Sequence, residues 1–292
     1  MDVYLNGRYL PLDRACVPVL DRGFLFGDGV YEVIPAYGGH PFRVDAHLER
    51  LENSLRAIRM PFPLARSEWR RIFHRLLSPL GAADQQIYLQ VTRGAYEKRL
   101  HALPERVEPT VFVMAQPLAE RDPRLVARGL SVITLEDIRW QRCDIKAITL
   151  LANILAQQQA RDAGADEALL VREGRVTEGT ASNFFLVRDG RILTPPKSAH
   201  LLPGITRDLV MELAREAGLP CEEREIAAEA LAEADEIWVT SSTKEVMPVT
   251  RLDGRPVANG RPGPMWREMD ALYQRCKARL RARDRSSEAC DE

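Results

Sequence analysis

The amino-acid sequence predicts an α/β (α+β) protein folded in two lobes, and three observations lead there. A chain of 292 residues lies where a single hydrophobic core stops growing and a second becomes the better solution. Short β-rich runs alternate with helical periodicities in both halves, with no internal repeat. Between the halves, Pro117 to Arg128 carries two prolines and no strong periodicity, so it reads as a linker. The expected division is residues 1-120 for a smaller N-terminal α/β domain, 121-280 for a larger C-terminal domain and 281-292 for a disordered tail.

In chain order, Val3 to Leu5, Arg8 to Leu10 and Val30 to Tyr37 read as strands, the last ending at the Gly38-Gly39 turn. Asp45 is an N-cap candidate for a helix with Leu48, Leu51, Leu55 and Ile58 on one stripe, stopped by Pro61. A second helix is expected from Ser67 to Leu77. Ile87 to Thr92 and Thr110 to Gln116 read as strands around the loop Arg93 to Pro109. The second half is expected to run strand Leu130 to Leu135, helix Thr149 to Ala163 ended by Gly164, then strands Glu167 to Arg172 and Asn183 to Arg188. A helix Thr206 to Ala217 closed by Gly218 and a strand Glu236 to Thr240 complete it.

Composition narrows the function classes. A 45% hydrophobic and 28% charged balance is that of a globular protein, and a net charge of −1 argues against nucleic acid or an anionic membrane as the partner. Cys16, Cys143, Cys221, Cys276 and Cys290 form no CxxC pair and no metal-ligand spacing, so no metal is expected. Scattered thiols suit a reducing cytoplasm. The start Met1-Asp2-Val3-Tyr4 has neither a basic nor an apolar leader segment, and no apolar run approaches membrane-spanning length.

Chemistry is first legible at Lys146. It closes the polar run Arg139 to Lys146, and Ala147 to Leu155 reads as an apolar helical segment directly after it. An amine between a charged loop and an apolar helix is partly desolvated, which disfavours its ammonium form and suits it to Schiff-base formation. Downstream, Val176-Thr177-Glu178-Gly179-Thr180-Ala181-Ser182-Asn183 puts an acid in a small-residue turn ahead of the run Phe184 to Val187. The two together suggest an amine to hold an aldehyde cofactor and a carboxylate to tune it. Gly204-Ile205-Thr206 opens a helix whose free N–H groups and positive dipole end can receive a phosphate, with Leu202 and Pro203 holding the entering loop. Thr240-Ser241-Ser242-Thr243 follows a buried strand and offers hydroxyls and free N–H groups. Taken singly, each of these segments is better read as a solvated lysine, a surface acid, a helix cap or a turn.

These segments, with Asp21-Arg22-Gly23-Phe24-Leu25-Phe26-Gly27-Asp28-Gly29-Val30-Tyr31-Glu32 and Leu202-Pro203-Gly204-Ile205-Thr206-Arg207, stand in the order found in a known family. From about Tyr4 to about Arg267 the chain resembles the fold-type IV pyridoxal-phosphate enzymes of the class IV aminotransferases, most of all their D-amino-acid-specific members. The resemblance implies two domains with pyridoxal 5'-phosphate at the domain interface, the larger domain binding most of it. It implies Lys146 as the catalytic Schiff-base lysine and Glu178 opposite the pyridine nitrogen. Leu202 counts with the cofactor-binding set, and phosphate contacts are implied from Arg50, Ile205, Thr206, Ser241 and Ser242. Arg50 is promoted by the pattern His47-Leu48-Glu49-Arg50-Leu51.

Substrate choice would rest on a carboxylate trap. Arginine offers a bidentate fork, and Tyr31 with the element Arg99-Leu100-His101 resembles the trap of D-amino-acid aminotransferases, Arg99 and His101 being donated across a homodimer interface. The implied reaction is ping-pong transamination of a D-amino acid such as D-alanine or D-glutamate with a 2-oxo acid such as 2-oxoglutarate. Two departures touch the pocket edge: Pro35 stands where D-specific members often carry lysine, and the loop before Arg99 is one residue longer. Pro35 also predicts an edge or a bulge at that end of its strand. Transamination of branched-chain L-amino acids, aminodeoxychorismate lysis and a non-catalytic cofactor-binding protein stay open as alternatives.

Overall fold

A computed structural model of the chain describes residues 1–81 and 83–282. It divides into two compact units, one of residues 1–119 with Ile145–Thr149 and the described residues from Lys277 onward, the other of Glu120–Asp144 with Leu150–Cys276. The short segment around Lys146 thus belongs with the first unit, although a single cut at residue 120 would assign it to the second.

The first unit is built on β1 (Asp2–Leu5), β2 (Arg8–Pro11), α1 (Arg22–Phe26), β3 (Gly29–Tyr37), β4 (His40–Pro41), α2 (Val44–Ala57), α3 (Arg66–Leu77), β5 (Gln85–Thr92) and β6 (Thr110–Pro117). Its six strands form an antiparallel sheet in the order β2-β1-β6-β5-β3-β4. In β3, Val30, Glu32 and Ile34 are buried while Tyr31 and Val33 are partly open, the two-residue alternation of a strand with unlike faces. Leu48, Leu51 and Leu55 recur at helical spacing along α2 and are fully buried in the same cluster as Val30 and Ile34. Each such side chain contributes about 1.5–3 kcal/mol by leaving water. Trp69, Ile72, Phe73, Leu76 and Leu77 of α3 complete the cluster with Ile87, Leu89, Val111 and Val113.

Local chemistry accounts for the boundaries that differ from expectation. α2 starts at Val44 behind Arg43, which has a left-handed φ of 53°, so Asp45 is no N-cap. It sits inside the first turn, where a carboxylate still favours the positive helix end. Pro35 pairs in register with Gln86 and lies in no bulge. Its carbonyl accepts from the Phe42 N–H at 2.8 Å, so its ring nitrogen faces the side bordered only by two-residue β4, where a missing donor costs little.

The second unit comprises α4 (Pro123–Arg128), β7 (Leu130–Glu136), α5 (Leu151–Asp162), β8 (Glu167–Arg172), β9 (Arg175–Gly179), β10 (Asn183–Arg188), β11 (Arg191–Thr194), α6 (Ile205–Glu216), β12 (Cys221–Glu223), β13 (Glu236–Ser241), β14 (Glu245–Leu252) and β15 (Arg255–Pro256). α7 (Pro264–Arg281) begins here, and its last turns group with the first unit. The sheet order is β12-β11-β10-β13-β14-β7-β8-β9, with β15 beside β14; the β14-β7, β7-β8 and β11-β12 pairs are parallel. β10 and β13 carry the buried apolar runs Phe184 to Val187 and Ile237 to Val239, in which successive residues are buried on both faces.

The stretch expected to be a linker contains α4, because Asp122 caps it, accepting from the Arg124 N–H at 2.8 Å, and proline at the first helical position starts a helix rather than breaking one. The helix after Lys146 begins only at Leu151, and it exposes Leu151, Ile154 and Leu155 while burying Ala156 and Ala160. The expected disordered tail falls, beyond Ala282, outside the described residues. Among those residues no helix is long and apolar enough to cross a membrane.

Trp69 is among the largest fully buried side chains. Trp69→Ala is expected to destabilise the protein by about 3–5 kcal/mol, measured as a shift in the urea midpoint at constant slope.

Candidate active site

In the first unit the site-forming residues gather at the start of β3. Gly29 and Tyr31 bracket Val30, which bridges to Ala147 in an antiparallel pair, and the Tyr31 N–H donates to the Lys146 carbonyl at 3.0 Å. The Lys146 N–H in turn donates to Ser54 Oγ of α2 at 3.2 Å. Held at both backbone groups, Lys146 is half-buried with its Nζ 4.2 Å from the centre of the Tyr31 ring. Its environment is therefore an aromatic face and a non-helical segment, whereas the sequence pointed to an apolar helix directly behind it.

Beneath it lies a buried ionic group. Glu32 accepts from Arg50 Nε at 2.7 Å and Nη2 at 2.8 Å, and His47 Nδ1 lies 2.8 Å from the second oxygen. Burial alone would raise the Glu32 pKa, but the Arg50 charge and the hydrogen bonds from Arg50 and His47 outweigh it and hold the carboxyl far below its usual range. Burial pushes His47 down, with Glu32 only partly opposing, so its ring is neutral.

Arg99 and His101 lie on an exposed loop. Both pack on Phe26 at the end of α1, Arg99 with its guanidinium 4.9 Å from the ring centre and His101 edge-on at 5.3 Å. The loop is tied down by Arg22, which donates to the carbonyls of Leu100 at 2.5 Å and Ala102 at 3.4 Å. Arg22 and Arg93 also share Asp28, held below its ordinary pKa because their hydrogen bonds outweigh burial.

In the second unit Glu178 ends up buried on β9. It accepts from the Leu202 N–H at 3.0 Å, from Asn183 Nδ2 at 3.2 Å and from Arg139 Nη1. Arg139 spans to Asp137, giving it Nε and Nη2 at 2.9 Å each. Burial raises the Glu178 pKa and Arg139 opposes it, while Asp137 stays below its ordinary value because the Arg139 hydrogen bonds overcome burial. Asn183 also donates to the Leu202 carbonyl at 2.8 Å, and a Cβ on Gly204 would stand 1.8 Å from its Oδ1, so only glycine fits the helix entrance. Behind that glycine, Ile205 and Thr206 open the twelve-residue α6 with their N–H groups pointing out of its positive end. β10 pairs with β13 through Asn183 and Thr240, which brings the Ser241-Ser242 turn to the same end of the sheet.

Each unit thus presents its own set: in the first, an amine over an aromatic ring beside an anchored arginine; in the second, a buried acid with two N–H-bearing turns. Arg139, Asp137, Asn183 and Glu32 were not singled out from sequence. The only signals for them were the spacing Asp137-x-Arg139 and their place inside runs already of interest.

A family model for amino-transferase class IV matches residues 29–252, and the chain belongs to that family. It is an aminotransferase. The chain is similar to D-alanine aminotransferase of Bacillus licheniformis, 39% identical over 274 residues that cover 94% of this chain and 96% of the relative. A D-alanine aminotransferase of Staphylococcus haemolyticus is 37% identical over the same shares. Among solved structures, a T.th. branched-chain amino acid aminotransferase complexed with N-(5'-phosphopyridoxyl)-L-glutamate superposes with a TM-score of 0.86 at 30% identity, covering 99% of this chain and 96% of that one. The Escherichia coli branched-chain enzyme gives 0.87 at 26% identity, covering 94% and 93%. These likenesses bear out the fold-type IV expectation.

Because neutral buried His47 resists protonation below about 6.5 and Glu32 resists it below about 4.5, the unfolded chain takes up more protons than the folded one as pH falls. Stability is expected to drop in two stages on acidification. Glu32→Gln should cost about 3–5 kcal/mol at pH 7 by removing the buried negative charge that faces Arg50, with the deficit narrowing below pH about 4.5. Urea unfolding from pH 7 to pH 3 reads both; a deficit independent of pH would refute the assignment.

Proposed function

We propose that the protein is a pyridoxal-phosphate-dependent aminotransferase acting on D-amino acids, with a 2-oxo acid such as 2-oxoglutarate as acceptor. What carries the handedness is the 37–39% identity to D-alanine aminotransferases across 94% of the chain, against 26–31% for the solved branched-chain enzymes. The residues fit the cofactor: a half-buried amine, a buried carboxylate with its own N–H support, and a helix entrance where Asn183 leaves room for nothing beyond glycine. When bound, the cofactor supplies an aldehyde for amine capture and a protonated ring that accepts electrons released at the substrate Cα.

Lys146 holds the cofactor through Nζ and, once displaced by the substrate amine, takes the Cα proton and returns it. Glu178 keeps the ring nitrogen protonated. The N–H groups of Ile205 and Thr206 and the hydroxyls of Ser241 and Ser242 receive the phosphate, with Leu202 holding the loop. Arg50 adds fixed positive charge, its guanidinium plane set by Glu32. Tyr31, Arg99 and His101 receive the substrate carboxylate, the last two from the other copy of a homodimer. Phe24, three-quarters exposed on α1, and the exposed stripe Leu151, Ile154 and Leu155 are apolar surfaces a second copy would cover. Four free cysteines among the described residues agree with a cytoplasmic setting.

The first test is an absorbance titration of the purified protein with D-alanine, L-alanine and L-leucine. Loss of the visible cofactor band with D-alanine alone is the expected result; loss with L-leucine alone would favour the branched-chain activity that the structural likeness keeps in view. Lys146→Ala is expected to abolish turnover and the covalent cofactor link. Arg99→Ala should weaken the use of D-alanine by about 1.5–3 kcal/mol in kcat/KM, the range for a hydrogen bond to a charged group. An unchanged kcat/KM would put the trap elsewhere.

A further inference from the structure

Glu167 is a fully buried carboxylate that none of the roles above employs. It stands at the start of β8, and its partners come from two different turns. Oε1 accepts from Ser182 Oγ at 2.5 Å and from the Ala181 N–H at 3.3 Å. Thr180 Oγ1 is 3.4 Å away, its proton directed to Gln157 Oε1 at 2.7 Å. Oε2 accepts from Lys244 Nζ at 2.6 Å. One carboxylate thus braces residues 179–182, directly after Glu178, and residues 241–244, which carry Ser241 and Ser242.

Each turn is shaped around it. A Cβ on Gly179 would stand 2.2 Å from Ser182 Oγ and 2.6 Å from Glu167 Oε1, so the chain can close on the carboxylate only with glycine there. In the other turn the Lys244 N–H donates to Ser241 Oγ at 3.1 Å. A hydroxyl oxygen that accepts in this way still has its own proton to give to an anion. Lys244 is fixed by Glu167 at its ammonium end and to Ser241 at its backbone, so the serine is positioned through the lysine.

We propose that Glu167 is a positioning residue that holds the Ser241-Ser242 turn and the Glu178 turn at one spacing, so that the phosphate and the ring nitrogen of the cofactor are received together. It rests on the cofactor assignment above. A carboxylate serving the fold alone would affect stability and leave cofactor affinity untouched.

The test uses the full chain, stripped of cofactor and reconstituted, as wild type, Glu167→Gln, Lys244→Met and the double variant. The measurements are Kd for pyridoxal phosphate, Kd for pyridoxal lacking the phosphate, and urea unfolding of the stripped protein. The Lys244 side chain is 39% exposed, so Lys244→Met removes the same bond from its solvent side and keeps the test alive if Glu167→Gln folds poorly. Each single variant is expected to weaken pyridoxal phosphate by about tenfold, the scale of one charge-assisted hydrogen bond, and pyridoxal by less. The double variant should lose no more than the worse single one, since both remove the same bond. Pyridoxal phosphate affinity within about twofold of wild type in both single variants would overturn the proposal, whatever the urea midpoint does, and so would fully additive losses. No cofactor binding by the wild type would instead overturn the cofactor assignment itself.

Discussion

A carboxylate removed from water must be met by cations and donors or it will not stay ionised, and the first unit is organised around that demand at Glu32. The strand alternation that buries Val30 and Ile34 buries Glu32 with them. α2 answers with His47 and Arg50, three positions apart on one face, beside the apolar stripe Leu48, Leu51 and Leu55. One turn further along the same polar face, Ser54 takes the Lys146 N–H. Strand, helix and lysine segment are therefore registered against each other by polar contacts, while the leucines supply most of the energy. Apolar packing alone would tolerate a sliding helix; two hydrogen bonds from one guanidinium to one carboxylate do not.

The second unit repeats the device with different partners. Glu178, Glu167 and Glu236 are all buried, and each accepts backbone N–H groups from a turn or a helix start: Leu202 for the first, Ala181 for the second, Met265 and Trp266 for the third. Loops at the end of a sheet have few apolar contacts to hold them. A buried acid aimed at their N–H groups fixes them by charge-assisted hydrogen bonds, each worth more than a neutral one. Of the three, Glu178 alone also takes a guanidinium, and Glu167 alone a lysine from a second turn.

This arrangement explains what the sequence could and could not disclose. The leucine stripe of α2, the strand of β3 and the Gly218 stop of α6 are periodic or local signals, and they were legible. So was the order of the motifs around Lys146, Glu178 and Thr206. α4 was hidden because proline is ambiguous between breaking a helix and starting one, and only the Asp122 cap resolves it. The apolar segment after Lys146 reads as helical from Ala147, ahead of the true start at Leu151, because Ala147 and Ile148 are apolar in either state. What keeps them out of the helix is the pairing of Ala147 with Val30 and of the Ile148 N–H with the Gly29 carbonyl, over one hundred residues away in sequence. Arg139, Glu167 and Asn183 act through partners brought close only by the sheet, so no spacing along the chain announces them.

Glu178 carries the sharpest physical tension in the molecule. In the role proposed above it would have to be an anion, yet burial raises its pKa toward the neutral form. Arg139 resists that, but a guanidinium wholly committed to Glu178 would cancel the charge the acid needs. Asp137 takes Nε and one terminal nitrogen of Arg139, leaving a single terminal nitrogen for Glu178, and its own charge adds to the upward shift of Glu178. Acid and guanidinium then alternate from Asp137 through Arg139 to Glu178, and in the proposed role a protonated ring nitrogen would continue the series. Arg139 opposes the upward shift that burial and the Asp137 charge give Glu178, and that one cation is shared between the two acids.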